Sequence, residues 1–95
     1  MQIARPASGF TIVERPLAQQ ALVTARPHCA WLDGAYSNVK QRLRIAGHKI
    51  GHPVKGDLTR RIYIEADPVT YANRLAVAYD VLADTITIYS LKILI

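Results

Sequence analysis

The sequence predicts a small α+β domain: a short N-terminal strand, then two helices packed on one face of a small antiparallel sheet, in the order β-α-α-β-β-β. Three observations lead there. Apolar residues recur at three- and four-residue intervals up to Ala46. Beyond residue 57 the period changes to alternation, which belongs to strands. The 95 residues suffice for one hydrophobic core and not for two, so residues 1–95 are read as a single domain.

The elements follow in order. Residues 10–14, Phe-Thr-Ile-Val-Glu, are β-prone and stand between Ser8-Gly9 and Pro16, which gives a first strand. Residues 17–25 are rich in Ala, Leu and Gln, and Pro16 suits the first turn of a helix, where its missing N–H costs nothing. Arg26-Pro27 interrupts that helix, because the residue before a proline is pushed out of the helical region. From residue 28 to residue 46 the positions Leu32, Ala35, Tyr36, Val39, Leu43 and Ala46 form one apolar stripe, the second helix, with Gly34 marking a kink or its true start and Gly47 its stop. Residues 47–57 hold three glycines and a proline and read as a loop. Residues 60–66, 75–81 and 85–91 alternate as strands. Ala83-Asp84 lies where a tight hairpin joins the last two, and Asp67-Pro68 with Asn73 makes a longer turn before the middle one. On the last strand Ile86 and Ile88 point to one face and Thr85, Thr87 and Tyr89 to the other.

Hydrophobic residues make up 51% and charged residues 20%, a folded composition and not a disordered one. The single cysteine, Cys29, forbids an internal disulfide and fits a small buried residue in a reducing cytoplasm. No run reaches the roughly 18 apolar residues of a membrane span, so a membrane partner is not expected. The net charge is +5, and residues 40–61 alone carry +6, which favours a polyanion or an acidic protein as partner. Lys40, Arg44, Lys49, Lys55, Arg60 and Arg61 are the expected nucleic-acid contacts. His48 and His52 are four apart, but Gly47, Gly51 and Pro53 oppose a helix there and no carboxylate stands at ligand spacing; neither a metal nor a cofactor is expected. Trp31 and the strand tyrosines Tyr63, Tyr79 and Tyr89 read as packing residues. The apolar tail Ile93-Leu94-Ile95 offers a β-prone edge to another chain, a homodimer through the C-terminal strand included.

The element order, with His52-Pro53-Val54-Lys55-Gly56, Arg60-Arg61-Ile62-Tyr63-Ile64, Arg74-Leu75-Ala76-Val77-Ala78-Tyr79-Asp80-Val81 and Asp84-Thr85-Ile86-Thr87-Ile88, resembles the RelE/ParE superfamily of bacterial toxin-antitoxin systems. The resemblance spans residues 10–92. It implies a RelE-like fold, a cognate antitoxin as partner, and either metal-independent cleavage of messenger RNA on the ribosome or inhibition of gyrase. Such cleavage needs a base for the 2′-hydroxyl, an acid for the leaving oxygen and cations on the phosphate. Carried over by position, Lys55 is the basic residue before the second family strand and Arg74 opens the third; with His52 (or His48) as proton shuttle they form the expected catalytic set, a cradle where the Lys55 turn meets Arg74. RelE-type nucleases carry a further Arg and a Tyr or His after the last strand, where this chain has Leu91-Lys92-Ile93-Leu94-Ile95. The alternative is a non-catalytic protein- or RNA-binding module on the same fold.

Overall fold

The computed structural model of the protein describes residues 9–57, 59–67 and 73–94. In chain order it has β1 (Thr11–Glu14), α1 (Pro16–Ala25), one 3₁₀ turn (Arg26–His28), α2 (Leu32–Ala46), β2 (His52–Pro53), β3 (Arg60–Ala66), β4 (Arg74–Leu82) and β5 (Thr85–Leu94). The α+β class and the two helices against a sheet agree with the sequence. The sheet differs from the expected antiparallel one. It is mixed and five-stranded, ordered β1-β5-β4-β3-β2, with β1 parallel to β5 and every other pair antiparallel. The parallel pair arises because β1 returns to the sheet's far edge beside the last strand, and β2 forms because His52 and Pro53 pair with Ile62 and Arg61 inside the expected loop.

Helix α2 begins at Leu32, four residues inside the expected 28–46 span and at the first residue of its apolar stripe. Arg26-Pro27 is taken up in the 3₁₀ turn, and Trp31, half-buried against the core, is the residue before the helix. Gly34 therefore falls in the first turn, where it faces open space and marks the start. Leu32, Ala35, Tyr36, Val39 and Leu43 are buried together against Leu75, Val77, Tyr79, Val81, Ile86 and Ile88 of the sheet. At about 1.5 to 3 kcal/mol per large apolar side chain removed from water, this single interface dominates the stability. Gly47 ends α2 with right-handed backbone, so the position needs glycine for space: a Cβ there would overlap Ile86 Cδ1 and the Leu43 carbonyl.

Two acidic residues tie α2 to strands on either side. Tyr36 Oη donates to Glu14 Oε2 at 2.7 Å, with Lys40 Nζ 3.9 Å from the other oxygen. Arg42 Nε lies 3.2 Å from Glu65 Oε1, which also accepts from Tyr63 Oη at 3.0 Å. Strand β5 runs three residues further than predicted because of a bulge. Tyr79 pairs with Ile88 and Ala78 with Ser90, leaving Tyr89 as the extra residue. The bulge shifts the parity, so Leu91 and Ile93 continue the core face that Ile86 and Ile88 begin. The expected turn over residues 68–72 lies outside the described residues, but Asp67 N–H donates to the Asn73 carbonyl at 2.7 Å across its base.

Candidate functional site

The basic segment 40–61 does not become one positive surface, because the fold brings carboxylates from elsewhere in the chain to three of its seven cations. Lys40 faces Glu14 and lies 4.8 Å from the Tyr36 ring centre. Arg42 pairs with Glu65. Arg60 Nε lies 3.2 Å from Asp80 Oδ1, its guanidinium 4.3 Å from the Tyr89 ring centre. Arg61 turns inward: its Nε donates to the Ile50 carbonyl at 2.8 Å and a terminal nitrogen donates to Gly51 at 3.1 Å. Arg61 thus holds the 47–51 turn, a structural task the sequence reading did not assign to it. Arg44 is exposed, its stem against Gly9 and its carbonyl accepting from Phe10 N–H at 2.9 Å. Lys49 and Lys55 are exposed with no carboxylate at ion-pair distance among the described residues.

The expected catalytic set is split. Lys55 sits in the β2–β3 turn beside Arg60, where Val54 N–H donates to the Arg60 carbonyl at 3.0 Å. Arg74 pairs with Ala66 at the other end of β3. Six residue steps of strand separate the two ends, about 20 Å at roughly 3.4 Å per residue. A phosphate spans a fraction of that, so Lys55 and Arg74 do not form one cradle. His52 stays with the Lys55 end, exposed on β2 opposite Ile62, and His48 packs on Phe10 with ring centres 5.3 Å apart. Asp57 shapes this turn: its Oδ1 accepts from the N–H groups of Thr59 and Arg60 at 3.0 and 3.1 Å, which holds its carboxyl below the ordinary range.

Of the strand tyrosines, Tyr79 is fully buried and Tyr63 half-buried. Tyr89, the bulge residue, lies on the sheet face away from the helices, with Arg15 5.6 Å and Arg60 4.3 Å from its ring centre.

A concave feature lies elsewhere. Between α1 and the ends of β4 and β5 runs an open groove of about 400 Å³, lined mainly by Leu17, Ala21, Leu32, Leu75, Leu91 and Ile93. Helix α1 supplies it because it is apolar on more than one side: Ala18 and Leu22 reach the core, while Leu17 is 71% exposed at the groove's rim. The sequence signal for this groove was the apolar C-terminal strand. Its helical wall was missed, because Leu17 and Ala21 look like ordinary helix-core residues until the position of α1 is known. No helix among the described residues is long and apolar enough to cross a membrane. Comparison with family models, with characterised proteins and with solved structures returns no match to the chain.

Proposed function

We propose that this chain is a non-catalytic protein-binding module with a RelE/ParE-like element order, acting in the cytoplasm, and that its partner, an antitoxin-like acidic protein, lies in the groove between α1 and β5. One observation carries the reading: an open groove with leucines and isoleucine in its walls stands beside β5, whose outer edge beyond Ile88 pairs with no strand among the described residues. A concave, mainly apolar feature of this kind is where a ligand or partner side chain is expected to seat. The separation of Lys55 from Arg74 weighs against the nuclease alternative, since base, acid and phosphate clamp must act on one phosphodiester. The net charge of +5 favours an acidic partner.

The test is co-expression with the product of the adjoining gene. A complex is expected to copurify, and Leu17→Arg, at an exposed position, is expected to abolish it with an unchanged melting temperature. Induction of the chain alone is expected to leave growth unaffected. Growth arrest that depends on both Lys55 and Arg74, or a complex indifferent to Leu17→Arg, overturns the reading.

A further inference from the structure

We infer that the partner of this groove enters as an extended strand, paired with the outer edge of β5 over residues 90–94 and alternating apolar with acidic side chains. The inference rests on the protein-binding reading above and specifies the chemistry of that partner. Its basis is where β1 stops. Arg15 N–H makes the last bond to β5, donating to the Ile88 carbonyl at 2.9 Å, and Pro16 then turns the chain into α1. The β1–β5 register accordingly covers Thr85, Thr87, Ile86 and Ile88 and no more. Strand β5 continues, held extended on its other side by β4 through Ser90↔Ala78, Leu91↔Val77, Lys92↔Ala76, Ile93↔Leu75 and Leu94↔Arg74. Among the described residues no strand pairs with the outer side of 90–94. An extended, pre-ordered edge of this kind is a template for strand addition, in which main-chain bonds supply affinity and alternate side chains supply selectivity.

The side chains flanking that edge prescribe the alternation. Leu91 and Ile93 face the groove beside Leu17, Ala21 and Leu75. A strand laid against them places the residues opposite these two in the same groove, at roughly 5 Å between Cβ atoms, so those residues are apolar. Lys92 points to the other face, as does Arg74. Neither has a carboxylate at ion-pair distance among the described residues. The residue opposite Lys92 is therefore acidic. A second copy of this chain fits less well. Antiparallel self-pairing that uses all of 90–94 centres on Lys92 and sets it against Lys92 of the second copy, and like charges directly opposite are destabilising.

The probes are two short capped peptides, one alternating Ile and Glu and one alternating Ile and Lys, added to the full chain. The Glu peptide is expected to slow exchange of those amides of 90–94 that face away from β4 about tenfold or more, and to bind roughly fivefold more tightly than the Lys peptide, the upper range of one cross-strand charge pair. Lys92→Glu is expected to reverse that preference. Equal affinities, or Lys92→Glu without effect, overturn the inference. So does protection, in the chain alone, of the amides of 90–94 that face away from β4, with sedimentation showing whether a second copy covers the edge. Binding in the groove that Leu17→Arg abolishes, without protection of those amides, refutes the strand and leaves the protein-binding reading standing. Indifference of all binding to Leu17→Arg refutes that reading itself.

Discussion

Replacing Tyr79 with Phe should destabilise the fold by about 1 to 3 kcal/mol, the usual effect of leaving a buried carbonyl without its donor. Tyr79 is fully buried, and its hydroxyl proton is shared between the carbonyls of Gly47 and Ile50, each 2.9 Å away. The ring stays in Tyr79→Phe, so no cavity forms and the change isolates the hydroxyl. Ile50 keeps a second donor in Arg61 Nε at 2.8 Å, whereas among the described residues the Gly47 carbonyl receives a hydrogen bond from Tyr79 alone. Gly47 is itself buried, so water does not readily replace the lost bond. For a domain of this size each kcal/mol moves the melting temperature by roughly 4 to 8 °C, which puts the expected fall at about 5 to 20 °C. Tyr63→Phe is the control: its hydroxyl donates to Glu65, which keeps Arg42 Nε at 3.2 Å when the phenol is lost, so the loss should stay under about 1 kcal/mol.

The assay is urea unfolding of the two variants beside wild type, with the slope checked so that a midpoint shift can be read as stability. Amide exchange supplies a local readout, since the turn that Tyr79 holds includes Lys49 and Ile50, whose N–H groups donate to the Ala46 carbonyl at 2.8 and 3.0 Å. In Tyr79→Phe those amides should exchange faster than the strand amides of β4. Equal stability of Tyr79→Phe and Tyr63→Phe would refute the reasoning, because it would mean that the buried carbonyls find other donors at no cost.

Three further expectations follow from named features. Ala83 turns the β4–β5 hairpin at φ 55°, a left-handed conformation that costs a side chain about 1 kcal/mol, so Ala83→Gly should raise stability by up to about that amount in thermal unfolding. The phenols of Tyr36, Tyr63 and Tyr79 are all held above the ordinary tyrosine value, by burial first in each case, then by Glu14 for Tyr36 and Glu65 for Tyr63, with Arg61 opposing at Tyr79. A raised folded-state value favours the neutral form, so this stability is complete below about pH 10 and lost as pH rises beyond it; urea midpoints should fall above about pH 10, less steeply in Tyr36→Phe, and a flat profile would contradict the shifts. In any electrostatic binding of single-stranded RNA, the losses from Lys55→Ala and Arg74→Ala should add to within about 0.5 kcal/mol, because about 20 Å of strand separates the two residues. Coupling above that would restore a shared site.

Much of the fold was legible because its period was. The stripe from Leu32 to Leu43 and the alternation in β3 and β4 are direct images of burial, and the observed β3 keeps the expected bounds. What stayed hidden depends on neighbours that are remote in sequence. Whether β1 runs parallel or antiparallel is decided by which edge of the sheet it meets, and Phe-Thr-Ile-Val-Glu suits either. The bulge was hidden because a single alternation, with Ile86 and Ile88 on one face, was read through Tyr89, where Leu91 and Ile93 in fact shift the parity by one. The groove was half legible: the apolar end of β5 marked one of its walls in the sequence, and the wall formed by α1 was not marked.

The basic segment shows why a charge run is a poor guide to a site even when the count is right. Segment 40–61 carries seven cations and one acid, yet Glu14, Glu65 and Asp80 all come from outside it and meet Lys40, Arg42 and Arg60 there. Arg61 is taken up by backbone carbonyls. The fold thus uses Lys40, Arg42 and Arg61 to fix α2 and the 47–51 turn against the sheet, and Arg60 to join β3 to β4. At the far end of the sheet, outside the run, Arg74 and Lys92 keep their charge without a neutralising partner among the described residues, next to the uncovered length of β5. Charge that the fold leaves unspent is where an acidic partner gains most, and here it coincides with unpaired backbone and an apolar groove, three separate requirements of one docked strand.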